Sequence, residues 1–384
     1  MKTKLEHFIH SAGFTSCLAS IASILMGLLV GLVLLYAFNA PFALYGFKQI
    51  LTAGFSALDK LAKVLYQAAP LIMTGLSVGF AFKTGLFNIG APGQYTIGAF
   101  FALTAAIQFQ QPWYIAMVAG MIGGAIWGLF PGLFKALFNV NEVITSIMFN
   151  WIGLYLVNEI IYGRGSGVMY DAHNTRTWKL ATNAPQAQIP SCGMSELFHT
   201  SNTTIAIFLA IIVAIVVWVV LEKTTFGYEL KAVGLNKNAA RYAGINEKKN
   251  VILSMTIAGA LAGFGAGLFY LSGGGEWNPL NSTSLPAMGF NGIATALLAN
   301  SNPIGTIFSS LFISHISVGG AYLPTKYFPS EIADLISGII IYLCAFSMLF
   351  RTLFEKKLIH KKDTANANAE PAAKAVTKPE KEGK

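Results

Sequence analysis

The sequence is poor in charged residues and in cysteine. Only 11% of its 384 residues are charged, and three are cysteines. Soluble domains carry about 25% charged residues, so this chain is not expected to be an ordinary soluble protein. Cys17 and Cys344 lie in apolar runs and Cys192 lies in a polar loop, which excludes a disulfide framework. We therefore expect structural cysteines in a chain that is mostly buried in lipid.

Motifs for nucleotide hydrolysis and for common hydrolases are also missing. The sequence has no GxxxxGK[ST] phosphate loop, no HExxH, no CxxC pair and no serine nucleophile elbow. The chain is therefore not expected to be an enzyme, or to bind a metal or cofactor itself. Its net charge of +9 is spread over several loops and a tail, so we expect contact with anionic membrane lipid and not with nucleic acid.

Long apolar runs are what the sequence does contain. Hydrophobic residues make up 54% of the chain, and its mean hydropathy is +0.57. Since a crossing takes roughly 20 apolar residues, these runs predict an all-α polytopic membrane protein with about ten transmembrane helices. The windows are 17–38, 64–82, 88–109, 113–134, 143–162, 203–221, 251–271, 285–299, 303–320 and 331–350. The first window lacks a small-residue cleavage site, so we expect a retained helix and not a signal peptide.

Lysines and arginines predict the orientation, because basic loops stay on the cytoplasmic side. Most of the 26 basic residues fall inside if both termini are cytoplasmic. Window 285–299 is short and could be a re-entrant half-helix, but that would expel the basic tail. The predicted regions are a cytoplasmic N-terminus (1–16), a transmembrane domain (17–350), an extracellular loop (163–202), a cytoplasmic loop (222–250) and a disordered basic cytoplasmic tail (351–384). The predicted location is the plasma membrane of a bacterium.

The cytoplasmic loop 222–250 has the sequence features of an ordered surface. It predicts a helix near 228–233, a break at Gly234, an N-cap at Asn236 and a second helix over 237–242 that stops at Gly244. Small residues alternate with basic ones, which suits a protruding segment that binds in a groove of another protein. The alternative is an amphipathic helix on lipid headgroups.

Four stretches together resemble one family. They are GLFNIGAPGQYTIGA (85–99), NEVITSIMFNWIGLYL (141–156), FGYELKAVGLNKNAARYAGI (226–245) and GFNGIATALLANSNPIGTIF (289–308). They resemble permease subunits of ATP-binding-cassette (ABC) importers in the branched-chain amino acid and ribose group. Within that group the chain is most similar to nucleoside permeases that work with a lipoprotein receptor of the basic membrane protein type. The likeness covers about residues 60–350.

The resemblance implies a complex of several proteins. This permease would pair with a second homologous permease, two cytoplasmic ATPase domains that hold ATP and Mg²⁺, and an extracellular substrate-binding lipoprotein. The part of the chain that would dock in the ATPase comprises Phe226, Gly227, Ala232, Gly234, Asn236, Ala239, Ala240, Arg241 and Gly244. Pro92 departs from the acidic residue of many related permeases, so no charged role is carried over to that position.

Polar residues inside the apolar windows mark a candidate substrate path, because polar groups are costly in lipid. The candidates are Asn88, Gln94, Glu142, Ser146, Asn150, Trp151 and Asn291. A break in the backbone is expected near Asn88 and another near Asn291, as in a weak internal repeat of two halves. The alternative is structural: the amides tie helices together, and Glu142 caps its helix.

Amides and aromatic rings suit a nucleoside, which is neutral and combines a flat base with a hydroxylated ribose. We therefore expect ATP-driven import of nucleosides, including purine nucleosides. Two alternatives stay open. One is a ribose-type sugar permease of the same group. The other is an ion-coupled secondary transporter, for which His315 and Asp334 would be the buried titratable groups in the late helices.

Overall fold

The apolar windows form helices in the structure, a computed structural model that describes residues 12–164, 168–278, 284–347 and 349–353. The elements are α1 (Ala12–Asn39), α2 (Ala43–Thr52), α3 (Leu58–Lys83), α4 (Ala91–Leu103), α5 (Trp113–Phe138), α6 (Glu142–Asn158), β1 (Tyr170–Asp171), β2 (Arg176–Thr177), α7 (Leu180–Asn183), α8 (Met194–Phe198), α9 (Ala206–Lys223), α10 (Thr225–Leu235), α11 (Lys237–Tyr242), α12 (Glu247–Tyr270), α13 (Ala287–Leu298), α14 (Pro303–Ala321) and α15 (Ser330–Cys344). Within the described residues, 7 helical segments are long and apolar enough to cross a membrane. The predicted all-α polytopic class is confirmed.

Helix α2 lies outside the ten predicted windows, and the described helices of windows 88–109, 285–299 and 331–350 are not among these 7 segments. Helix α2 lies between windows, because Lys48 and Gln49 interrupt its apolar run, yet its buried face of Ala43, Gly46 and Ile50 packs against the late helices. Helix α13 has 12 residues, or about 18 Å, and is too short to cross roughly 30 Å of hydrocarbon alone. The N-terminal segment 1–11 and the tail from residue 354 lie outside the described residues.

The centre of the bundle is α3. In α3, 83% of the apolar span is buried, against 28% for the segment Cys17–Phe55 at the N-terminal edge. Around α3 lie α4, α9, α12, α13 and α14. Its buried residues run without interruption from Ala68 to Ala81, so every face of this part of the helix contacts the rest of the protein.

Glycine stripes bring α5 and α12 into direct backbone contact. Gly124 and Gly128 of α5 face Gly259 of α12 so closely that a Cβ on any of them would strike the other helix's backbone. Such small-residue faces are a standard way for helices to approach in lipid, where no hydrophobic effect draws them together. The four-residue spacing of Gly124 and Gly128 places both on the same face of α5.

The segment 168–202 folds over the end of the bundle opposite to residues 222–250. Its two-stranded hairpin pairs Tyr170 with Thr177, and the Thr177 hydroxyl accepts a hydrogen bond of 3.0 Å from the Trp277 amide. The Trp277 indole donates to the Asn158 side chain at 2.9 Å. The structure thus orders a segment that was expected to be a simple loop, while its extracellular placement stays a prediction.

Candidate translocation path and coupling elbow

The chain between α3 and α4 turns back into the bundle. Lys83 ends α3, Gly85 takes a left-handed turn at φ +71°, and residues 86–90 run inward without helical structure. The Asn88 side chain donates a hydrogen bond of 3.0 Å to Ser77 Oγ. Ser77 lies about 9 Å along α3 from Lys83. Helix α4 therefore begins inside the protein, which confirms the predicted break in the backbone.

Two buried amides at this break satisfy each other. Asn88 Nδ2 donates to Gln94 Oε1 at 2.8 Å, and Gln94 Nε2 donates back to Asn88 Oδ1 at 3.0 Å. Their side chains are fully buried. Because an unpaired amide at this depth would be costly, the reciprocal pair makes the polar break compatible with lipid.

Asn150 of α6 caps the start of α4 from a neighbouring helix. Its Oδ1 accepts the Gly93 amide at 2.9 Å, and its Nδ2 donates to the Ile89 carbonyl at 3.0 Å. Gly90, the N-cap residue of α4, makes no side-chain cap. Asn150 thus supplies partners for backbone groups that the broken chain leaves free. We call Asn88, Gln94 and Asn150 the amide network.

Ser146 lies beside this network but is not part of its hydrogen bonding. It is buried, its Oγ has no hydrogen-bond partner in the described part of the chain, and it lies against Gly90 and Asn88. A hydroxyl without a partner is available to a polar ligand whenever the space beside it opens.

The remaining candidate residues lie elsewhere. Trp151 is 38% exposed and stacks on Tyr155 on the outer face of α6. Glu142 sits at the end of the bundle, where its Oε2 lies 2.8 Å from Lys135 Nζ. Glu142 is not the N-cap of α6, because Asn141 holds that position and accepts from the Val143 amide. Glu142 does lie in the first turn of α6, where a negative charge favours the helix dipole.

The start of α13 meets the start of α4. Gly289 packs directly on Pro92, and Gly292 packs on Thr74 of α3. Asn291 lies half-buried between these two contacts. The predicted break near Asn291 is wrong, because this residue lies within α13 (Ala287–Leu298). The start of α13 is nevertheless a neighbour in space of the start of α4, and the internal repeat itself stays a prediction.

Helices α10 and α11, with residues 243–245, form what we call the coupling elbow. Thr224 caps α10 by accepting from the Gly227 amide at 3.1 Å. Asn236 caps α11 by accepting from the Asn238 and Ala239 amides at 3.0 and 3.1 Å. Gly244 follows α11 with φ +82°. The two predicted helices, the Asn236 cap and the Gly244 stop are confirmed.

The predicted break at Gly234 is wrong. Helix α10 continues through Gly234 to Leu235, and the chain turns at Asn236. Gly234 is instead a contact residue, because a Cβ there would strike the backbone of Lys83, Thr84 and Gly85. The elbow therefore rests directly on the turn from which the chain runs to the amide network.

One side of the elbow is anchored and the other is free. Val233 and Ala240 are buried in a small apolar cluster with Leu86 and Met255. On the other side, Leu235 is 89% exposed and Tyr242 is 95% exposed. Of the other candidates, Gly227 is buried, Phe226 and Ala232 are partly buried, and Ala239 and Arg241 are exposed.

Of the two titratable candidates for ion coupling, only His315 is buried. His315 is buried and stacks on Phe55, with its Nε2 2.9 Å from the Leu51 carbonyl oxygen. Asp334 is exposed, so its expected burial is wrong. A proton relay needs linked buried groups, and these two residues do not supply them.

Comparison with known proteins agrees with the geometry. Residues 60–345 match the family described as branched-chain amino acid transport system, permease component. A guanosine ABC transporter permease protein of Bacillus subtilis is 33% identical over 344 residues, which are 88% of this chain and 96% of that protein. A nucleoside ABC transporter permease protein of Lactococcus lactis is 33% identical over 88% of this chain and 93% of its own length.

A third relative is named for a different transported solute. A glucose ABC transporter permease protein of Haloferax volcanii is 30% identical over 86% of this chain and 87% of that protein. No solved structure matches the chain. Since the family match runs from within α3 to the end of α15 and includes the break and the elbow, this chain belongs to the branched-chain amino acid transport system permease family and is a multi-pass membrane protein.

Proposed function

We propose that this chain is the membrane permease subunit of an ABC importer for nucleosides. The observation that carries the proposal is the similarity, over 88% of the chain, to two permeases named for guanosine and for nucleosides. The amide network supports it, because a neutral nucleoside needs amide donors and acceptors and no fixed charge. A sugar cargo is the second candidate, since the Haloferax relative is named for glucose.

ATP would be hydrolysed on a separate cytoplasmic ATPase, which holds the nucleotide and Mg²⁺. The exposed Leu235 and Tyr242 support docking of that ATPase on the coupling elbow, because isolated apolar side chains so exposed gain most from burial in a partner. A second homologous permease and an extracellular lipoprotein receptor would complete the complex. Two further relatives, the second nucleoside permease of Lactococcus and the second guanosine permease of Bacillus, support a pair of different permeases.

A movement of the elbow would be transmitted to the substrate path by the turn at residues 83–85. Gly234 rests on that turn, and the turn continues into the segment that carries Asn88. A shift of the elbow would thus pull Asn88 away from Gln94 and uncover the amides and the Ser146 hydroxyl. Asn291, at the junction of α13 with α4, would line the same passage. Glu142, at the end of the bundle, and Trp151, on the outer face of α6, would lie beside this passage.

Uptake by cells that carry the whole complex tests this function. Labelled guanosine should accumulate, unlabelled nucleosides should compete, and excess ribose or glucose should not. Loss of the ATPase should abolish uptake, whereas a proton ionophore should leave initial uptake unchanged while ATP is maintained. Competition by the sugars would favour the sugar permease, and uptake that survives loss of the ATPase but stops with the ionophore would favour the secondary transporter.

A further inference from the structure

A groove with a basic rim lies beside the coupling elbow. Its volume is about 450 Å³, and it is enclosed by the end of α5, by α11 and by the start of α12. Its basic residues are Lys135, Lys237, Arg241 and Lys248, and Ala136 and Val251 belong to its apolar lining. The groove therefore combines a positively charged edge with an apolar interior.

Two of these four basic residues form ion pairs. Lys135 Nζ lies 2.8 Å from Glu142 Oε2, and Arg241 Nε lies 4.0 Å from Glu247 Oε1. Lys237 and Lys248 form no ion pair within the described residues, and both are exposed. The groove thus keeps a net positive charge that suits an anion.

Exposed apolar side chains continue from this rim along the last turn of α5. Leu137 lines the groove and is 55% exposed, and its neighbour Phe138 is 70% exposed. Such side chains at the end of a membrane helix are stable where acyl chains cover them. A small water-soluble anion would occupy the charged rim but would leave this apolar surface uncovered.

We propose that this groove binds an anionic phospholipid. Its phosphate would lie between Lys237 and Lys248, and its acyl chains would run along Leu137 and Phe138 toward the membrane. The placement follows from the predicted orientation, which puts the groove at the leaflet where anionic headgroups meet juxtamembrane basic residues. The inference depends on this placement in the membrane and not on the identity of the transported solute.

Native mass spectrometry of the full chain, titrated with phosphatidylglycerol or phosphatidylcholine, tests the site. Phosphatidylglycerol should bind at least about tenfold more tightly. Lys237→Gln and Lys248→Gln should each weaken this binding about fivefold, since one basic residue near anionic lipid contributes about one such factor. The double variant should lose roughly 25-fold. Both residues are exposed, so folding should be retained, which thermal unfolding of each variant checks.

Lys249→Gln is the matched control, because Lys249 has the same charge and lies in the same first turn of α12, but does not line the groove. It should bind phosphatidylglycerol like the unaltered chain. Equal binding of the two lipids, or wild-type binding by the double variant, would overturn the proposal. Displacement of phosphatidylglycerol by millimolar inorganic phosphate would also overturn it, because the site would then recognise a free anion.

Discussion

The amide network and the coupling elbow differ in whether their side chains find partners within the chain. At the network, Asn88, Gln94 and Asn150 place polar groups inside an apolar bundle, and each finds a partner within the chain. At the elbow, Leu235 and Tyr242 place apolar groups at the protein surface, and neither is buried by the chain. The amides of the network are hydrogen-bonded within the chain in this conformation, whereas Leu235 and Tyr242 would be buried only by another molecule. This contrast fits the proposed function, in which a separate ATPase would bind the coupling elbow and so move the amide network.

The contact between the two regions gives the largest expected effect. Gly234→Leu would force side-chain atoms into the backbone of residues 83–85, and overpacking of this kind costs about 1 to 3 kcal/mol. Because the elbow and the turn must then separate, uptake should fall by at least about tenfold while the protein still reaches the membrane. Nucleoside uptake normalised to the amount of membrane protein measures this. Gly338→Leu is the control, since no described residue lies within 4 Å of a Cβ at Gly338, and it should transport normally.

Removing one member of the network should destabilise the protein. Asn150→Leu leaves the Gly93 amide and the Ile89 carbonyl without their partner, which should lower the free energy of unfolding by about 2 kcal/mol. Thermal unfolding in lipid nanodiscs measures the change. Ser146→Ala is the matched control on the same helix, because its hydroxyl has no hydrogen-bond partner among the described residues, and its stability should stay within about 0.5 kcal/mol.

The same pair of variants separates structure from substrate contact. If Ser146→Ala retains its stability but alters the apparent affinity for nucleosides, the hydroxyl meets the substrate in another conformation. An Asn150→Leu protein as stable as the wild type would contradict the view that the network holds the break together.

Substitution of an exposed residue of the elbow should weaken ATPase binding and leave the stability of the isolated permease unchanged. Tyr242→Ser removes an exposed ring, so the isolated permease should unfold at an unchanged temperature. Its affinity for the ATPase should fall by about tenfold or more, as expected when one well-buried interface aromatic is lost. Co-purification with the ATPase at graded concentrations measures this. Leu197→Ser, at a side chain 62% exposed in α8, should have no effect, because α8 is predicted to lie on the other side of the membrane.

The smallest expected effect concerns Asp171, a buried carboxylate of the hairpin β1–β2 that is hydrogen-bonded within the chain. The Asn174 side chain donates to Asp171 at 2.6 Å and the His173 amide donates to it at 3.0 Å. These hydrogen bonds, that of Asn174 foremost, lower the pKa of Asp171. The native pKa is thus below the unfolded one of about 3.9, so the stabilisation is present at neutral pH and is lost as the pH falls below roughly 4. Hydrogen exchange at residues 168–178 should rise there, and Asp171→Asn should remove that pH dependence.

The sequence predicted the features that depend on local sequence patterns. Long apolar runs define the spanning helices, and Asn236 and Gly244 define α11, because caps and stops act within one turn. The pairing of Asn150 with Gly93 joins residues 57 positions apart, which no local pattern specifies. Gly234 was misread for the same reason: a glycine within a helix reads as a break until the neighbouring turn at residues 83–85 shows why the position must be small. Helix α2 was missed because its polar residues face outward and shorten the apolar run.

The most direct test places a single cysteine at Tyr242, in a chain whose Cys17, Cys192 and Cys344 are replaced by serine. A membrane-impermeant maleimide should label this cysteine only from the cytoplasmic side, and bound ATPase should block the labelling. Labelling from the outside, or labelling that the ATPase leaves unchanged, would contradict an elbow held by a cytoplasmic motor.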